Sequence, residues 1–247
     1  MIQYETNSLA EAFDINKKDK VIAVVGAGGK TTLIDFLAQE LAEKGFHVGI
    51  MTTTHRYYPQ KFDGIEKEEK EILELLKRDK IVEVGNVVQE MRQPLKTGPI
   101  SEKMYQWIKN QVDFLLVEAD GAKRMPIKVP ALWEPVLYPD MKKVIVVAGL
   151  CGIGKKWKEA CFRWDSCFSE EEGEDIIQAD QLIALMQSVY AQKDERKWIF
   201  FLNQWDCIML EKQKKQVESA VAISRSSIRW GQLLEHSEKK IKIWRME

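Results

Sequence analysis

The chain has little of what would mark it as secreted, membrane-spanning or nucleic-acid-binding. Its four cysteines, Cys151, Cys161, Cys167 and Cys207, show no CxxC spacing among 247 residues. They read as reduced thiols of a cytosolic protein rather than a disulfide framework or a zinc site. Charge of one sign is also lacking: 37 Lys and Arg stand against 38 Asp and Glu, for a net charge of −1. No global field therefore draws the chain to nucleic acid or to a membrane surface. No apolar run approaches bilayer-spanning length, and Met1 to Lys20 is polar and acidic rather than signal-like. The expected compartment is the cytoplasm. Histidine is scarce as well. His47 opens an apolar run and His236 sits in a charged tail, so neither invites a chemical role.

What is present is an alternation of apolar runs and amphipathic stretches. Val21-Ile22-Ala23-Val24-Val25 reads as a buried parallel strand, and Leu33 to Ala42 has helical apolar spacing before a stop at Gly45. Further strands are expected at His47 to Met51, Lys80 to Val84, Phe114 to Val117, Val144 to Val147 and Trp198 to Leu202, with a terminal one at Ile241 to Trp244. Helices are expected at 8–15, Glu66 to Lys80, Ser101 to Asn110 behind the cap residue Ser101, and about 174–191 and 209–223. Apolar strands separated by helices imply an α/β fold, a mainly parallel sheet with helices on both faces. No repeat or low-complexity linker divides the chain. It reads as one nucleotide-binding domain, 1–247, with irregular segments inserted at about 56–100 and 122–142, and all seven prolines fall within those segments.

The most telling segment joins the first strand to its helix: Gly26-Ala27-Gly28-Gly29-Lys30-Thr31-Thr32. A glycine-rich turn between strand and helix gathers backbone N–H groups and a helix N-terminus at one spot, which suits phosphate. Lys30 adds a point charge for the terminal phosphates, and the Thr31 hydroxyl suits Mg²⁺. Val24 stands where the common loop has its first glycine. What remains is the short form Gly-x-x-Gly-Lys-Thr-Thr, like the loop of Mur-type ATP-dependent ligases. The combination predicts a P-loop NTPase-like fold, with Lys30 as a catalytic candidate.

Ligands of open α/β sheets gather at the carboxyl ends of the strands. Glu118 follows Phe114 to Val117 at such an end, where an acid holds Mg²⁺ directly or through water. Asp120, two residues on, is assigned to metal or to positioning of the attacking water, a second catalytic candidate; a plain turn-capping acid is the alternative. Thr52-Thr53-Thr54-His55 ends another strand. Its hydroxyls and imidazole suit the γ-phosphate, Mg²⁺ or a second substrate, with Thr54 and His55 the second-substrate candidates, although Thr has high strand propensity and His55 beside Arg56-Tyr57-Tyr58 suits an ordinary half-buried contact. Asn203-Gln204-Trp205-Asp206 resembles Asn-Lys-x-Asp, the guanine-reading element of GTPases, with Gln204 in place of the lysine. Asn203 and Asp206 are thus base-binding candidates, and GTP stands slightly ahead of ATP. Gly149 to Lys155 also fits Gly-x-x-x-x-Gly-Lys, but Lys156 occupies the place of the Mg²⁺-binding hydroxyl and Lys158 adds further positive charge. It reads as a mobile or substrate-facing loop.

The glycine loop, Thr-Thr-Thr-His, Val117-Glu118-Ala119-Asp120-Gly121, Lys123 to Pro130 and Glu134-Pro135 occur here in an order that resembles the YqeC family. Its members are described as accessory factors for selenium-dependent molybdenum hydroxylases. The resemblance runs from about Lys20 to Asp206 and is strongest at residues 24–55 and 113–150. It implies a nucleotide-binding protein that helps put selenium into a molybdopterin-type cofactor. A selenium donor and a molybdenum hydroxylase are then the implied partners. In that setting Lys123 and Arg124 would face a second anionic substrate such as selenophosphate or a pterin phosphate, with solvated loop charges as the plain alternative. A Mur-like ligase that makes an acyl phosphate and joins an amine is another reading, and a nucleotide-sensing scaffold without turnover is a third.

Overall fold

The computed structural model describes residues 3–59, 61–88, 95–190, 194–224, 228–235 and 239–246. Its main sheet has nine strands: β1 (Gln3–Thr6), β2 (Val21–Gly26), β3 (Val48–Thr52), β4 (Ile81–Glu83), β5 (Phe114–Glu118), β6 (Lys143–Gly149), β7 (Lys197–Asn203), β8 (Ile228–Glu235) and β9 (Lys239–Met246). Their spatial order is β1-β9-β8-β7-β6-β2-β5-β3-β4. From β4 through β8 every neighbouring pair is parallel. At the far edge β9 returns antiparallel to β8, and β1 pairs antiparallel with β9.

The helices are α1 (Leu9–Ala12), α2 (Lys30–Glu43), α3 (Glu69–Asp79), α4 (Glu102–Gln111), α5 (Ala179–Tyr190) and α6 (Glu211–Ile223), with single helical turns between them. The side-chain alternation of a strand decides which face each covers. In β2, Ile22 and Val24 pack with Leu9 and Phe13 and with Leu33, Ile34 and Leu37 of α2. Val21, Ala23 and Val25 enter the opposite cluster with Ile72 of α3, Ile108 of α4, Leu182 of α5 and Val217 of α6. Every residue of β2, β5 and β6 is buried. Burial on both faces is why these strands are apolar throughout. The α/β architecture, mainly parallel with helices on both faces, is the one expected.

Several boundaries differ from expectation. The helix expected over 174–191 begins only at Ala179. Glu174 instead closes a separate helical turn, Glu170–Gly173, and Ile177 then pairs with the segment ahead of it, donating its N–H to Lys155 O (2.9 Å) and accepting from Gly154 N–H (3.0 Å). The expected 8–15 helix is the single turn α1, ended where Asp14 adopts φ +50°. The segment 56–100 holds α3 and β4, plus a separate antiparallel sheet of Arg56–Tyr57, Asn86–Val88 and Lys96–Gly98. β1 and β8 were not anticipated, and β9 is longer than the expected terminal strand. Pro94, Ala191 and His236 lie outside the described residues. No helix among the described residues is long and apolar enough to cross a membrane.

Candidate functional site

Parallel strands in register bring their carboxyl ends to one edge of the sheet. Across it, Val24 of β2 lies beside Glu118 of β5, Glu118 beside Thr52 of β3, Val147 of β6 beside Gly26, and Gly149 beside Asn203 of β7. The glycine loop sits in the middle of this row. Gly26, Gly28 and Gly29 take φ of +95°, +79° and +115°, a region closed to most residues. Space forbids a side chain as well: a Cβ on Gly26 would lie 2.1 Å from Val147 O, and one on Gly28 2.4 Å from Gly149 N. The Ala27 N–H donates to Val147 O at 2.8 Å, and the Gly26 N–H donates to Asp120. Both groups are therefore engaged within the fold. The N–H groups of the first turn of α2, which opens at Lys30, are those a helix leaves without an internal partner. Residues 28–32 are thus the part of the segment fitted to cradle an anion, with Thr32 half-buried in that turn.

Lys30 and Asp120 form the buried centre of the site. The Lys30 ammonium donates to the carboxylate and to the backbone carbonyl of Asp120, and Glu118 Oε1 lies 3.7 Å from it. Lys30 is 5% exposed. Burial works against its charge, but Asp120 first and then Glu118 outweigh that and raise its pKa, so it stays an ammonium. Asp120 has no exposed surface. Besides Lys30 it accepts from Gly26 N–H (2.9 and 3.1 Å) and from the Tyr190 hydroxyl (3.1 Å), and Lys128 Nζ stands 3.1 Å from Oδ2. Burial, and after it Asp120, pushes the Tyr190 hydroxyl well above its usual pKa, so it remains a donor. Lys128 also donates to Gly121 O (2.7 Å) and to Glu134 (2.8 Å), and Glu134 in turn accepts from Arg163.

Glu118 faces the loop from the same strand end. The Thr31 hydroxyl donates to its Oε2 at 3.1 Å, and Arg56 Nε lies 4.0 Å from that oxygen. Thr52 and Thr53 support the corner: Thr52 Oγ1 donates to Glu118 O (2.9 Å) and Thr53 Oγ1 to Val136 O (3.0 Å). Thr54 is half-buried and His55 exposed, next to Gly98 of the small sheet. Arg56, Lys128 and Tyr190 escaped the reading of the sequence. For Arg56 a signal existed, since it follows directly on Thr-Thr-Thr-His at a strand end, and Lys128 lies within the Lys123 to Pro130 run; Tyr190 carried none.

Asn203 donates from Nδ2 to Gly28 O at 2.9 Å, which ties the end of β7 to the glycine loop. Asp206 is exposed on the helical turn Trp205–Cys207 that follows. Lys123 and Arg124 are exposed and occupy consecutive left-handed positions, φ +45° and +62°. Lys123 Nζ stands 5.0 Å from the Phe162 ring and the Arg124 guanidinium 4.3 Å from that of Tyr57. No hydrogen bond or ion pair joins either residue to Lys30 or Glu118 among the described residues. Gly149 to Lys155 contains a helical turn, Leu150–Gly152; Gly149 lies against Gly28 of the glycine loop and donates to Pro126 O at 2.7 Å, and Lys155 is exposed.

Four buried side-chain atoms among the described residues lack a hydrogen-bond partner: Thr54 Oγ1, Arg56 Nη1, Asn203 Oδ1 and Trp230 Nε1. Three of them belong to this edge of the sheet. The four cysteines are free thiols, and burial pushes Cys161 up to about 12. No group of three His, Cys, Asp or Glu suited to a metal occurs among the described residues.

Residues 22–165 match the model of a family described as YqeC protein. The uncharacterized protein YqeC of Escherichia coli (strain K12) is 31% identical over 194 residues, spanning 69% of this chain and 69% of that protein. Among solved structures, the chain is similar to FlhF complexed with GMPPNP and Mg²⁺, at TM-score 0.47 and 12% identity over 94% of this chain and 73% of that one. The MinC:MinD complex of Aquifex aeolicus gives TM-score 0.42 and 18% identity, covering 88% and 82%. Hydrogenase maturation factor HypB of Archaeoglobus fulgidus gives 0.43 and 13%, covering 90% and 85%.

Proposed function

The chain belongs to the YqeC family, and we propose that it binds and hydrolyses a nucleoside triphosphate with Mg²⁺ to assist selenium incorporation into a molybdopterin-type cofactor of molybdenum hydroxylases. The observation that carries the nucleotide part is the corner of Thr31 and Glu118, 3.1 Å apart, beside the buried ammonium of Lys30 and the first turn of α2. A hydroxyl and a carboxylate are the hard oxygen donors Mg²⁺ takes, and two protein ligands are what a site completed by phosphate oxygens and water needs. When bound there, Mg²⁺ neutralises charge on the terminal phosphates. Lys30 supplies a second fixed charge, and the N–H groups of residues 28–32 hold the phosphate chain in place. We assign Asp120 to holding Lys30 and Gly26, in place of the metal or water-positioning role expected from its spacing, because its oxygens are already engaged.

The selenium part comes from what family membership implies. Lys123 and Arg124, on a loop held in left-handed backbone, remain the candidates for an anionic second substrate such as a selenium donor, with the exposed His55. We place the protein in the cytoplasm. Phosphate release by the purified protein, with GTP or ATP and with Mg²⁺ or a chelator, tests the nucleotide part. Binding without release would favour a nucleotide-sensing scaffold. A strain lacking the protein should yield a hydroxylase with molybdenum and pterin but no selenium by elemental analysis, and normal selenium would sink that part.

A further inference from the structure

Arg56 opens the small sheet, pairing through Arg56–Tyr57 with Lys96–Gly98, yet its side chain reaches into the main sheet. The guanidinium is 4% exposed and meets carboxylates from three elements. Nη2 lies 2.6 Å from Asp35 of α2, and Nε lies 3.4 Å from Glu83 of β4 and 4.0 Å from Glu118 of β5. Burial alone would lower its pKa; Glu83, Glu118 and Asp35 overcome that and raise it, so it is a fixed cation. Even so, Nη1 has no partner. A buried guanidinium corner left unpaired is costly, so its acceptor comes from outside the described chain. Its place narrows what that acceptor is. The Glu118 oxygen nearest Arg56 is the one to which Thr31 donates, so the cation stands beside the corner assigned above to metal and phosphate. Thr54, two residues earlier, contributes a second unpartnered buried atom, its hydroxyl Oγ1.

Resting on the nucleotide reading above, we infer that Arg56 Nη1 and Thr54 Oγ1 bind the terminal phosphate of the bound triphosphate and so distinguish it from the diphosphate. A planar guanidinium suits this role because one side of its fork can stay on Asp35 while the other takes an anionic oxygen. Because Arg56 is also a strand residue of the small sheet, loss of the terminal phosphate releases a contact to that sheet.

The test is a set of dissociation constants for GTP, GDP, ATP and ADP with Mg²⁺, measured by calorimetry on the full chain. The wild type is compared with Arg56→Lys, which keeps the charge among three carboxylates, and with Thr54→Val, which keeps shape and removes the hydroxyl. The wild type should prefer triphosphate over diphosphate about tenfold or more. Arg56→Lys should bring the ratio near one with diphosphate affinity within about twofold, and Thr54→Val should lower it several-fold. Circular dichroism establishes that each variant is folded, and Thr54→Val decides the matter should Arg56→Lys fail to fold. An unchanged ratio in the folded variants, or no triphosphate preference in the wild type, overturns the inference and leaves the nucleotide reading standing. Wild-type protein that binds none of the four overturns the nucleotide reading itself.

Discussion

Lys128 and Asp120, neither with any exposed side-chain surface, face each other 3.1 Å apart behind the ammonium of Lys30. One carboxylate thus serves two buried lysines, a loop N–H and a tyrosine hydroxyl. Removing it leaves Lys30 with only Glu118 at 3.7 Å and Lys128 with only Glu134 at 2.8 Å, and strips the Gly26 N–H and the Tyr190 hydroxyl of their buried acceptor. Removing Glu118 leaves Lys30 still paired with Asp120.

This separates the two acids experimentally. Asp120→Ala should cost about 3–5 kcal/mol of stability, read by urea denaturation. Glu118→Gln should cost clearly less while abolishing the Mg²⁺ dependence of nucleotide binding. Equal stability losses, or Mg²⁺ dependence that survives Glu118→Gln, would contradict the assignment.

The two Gly-Lys segments are distinguished in the same manner. Lys30 is buried beside the glycine loop, whereas Lys155 is exposed. Lys30→Ala should weaken triphosphate binding by roughly 2–4 kcal/mol, tens- to several hundred-fold, and Lys155→Ala should leave it nearly intact. Calorimetric titration of both variants decides it, and a larger loss in Lys155→Ala would move the phosphate site.

Glu83 sets a pH signature. Burial raises it to about 7 from 4.5, against the pull of Arg56. Between those values the native state holds a proton that the unfolded state has lost. Stability therefore falls as pH rises through that window, by roughly 3 kcal/mol in all. Glu83→Gln removes this dependence, and Arg56 keeps Asp35 at 2.6 Å. The variant should match the wild type near pH 5 and exceed it near pH 8. Urea midpoints across that range check this, and a difference that does not grow with pH would refute it.

The proposed base choice would rest on Asn203 and Asp206. Asn203 holds Gly28 O, and Asp206 stands exposed three residues on. If the Asp206 carboxylate reads guanine through two charge-assisted hydrogen bonds, GTP should bind tens- to hundreds-fold tighter than ATP, about 2–4 kcal/mol. Asp206→Asn should erase that preference and favour xanthosine triphosphate. Equal affinities in the wild type would make Asn-Gln-Trp-Asp an ordinary turn.

The central strands, the glycine loop and the helix after it were legible in the sequence because their causes are local. A strand buried on both faces must be apolar along its length, and φ values of +79° and +115° demand glycine. The edge was less legible. β1 and β8 mix polar and apolar residues, and β1 owes its place to partners at the other end of the chain, as Thr6 does to Ile243.

Local chemistry by itself determined that a phosphate-fitted turn lies between a strand and a helix, and that an acid ends a second strand. Only the tertiary structure decided what surrounds each acid. Glu118 and Asp120 are two residues apart and look alike in sequence, but strand register sets one opposite Thr31 and buries the other among Gly26, Lys30, Lys128 and Tyr190. Arg56 follows directly on Thr-Thr-Thr-His in the sequence, but the convergence of Asp35, Glu83 and Glu118 on it, from across 84 positions, exists only in the fold. Whether a charge is a ligand, a clamp or a solvated end depends on what surrounds it, and the surroundings here are assembled by pairing between distant strands.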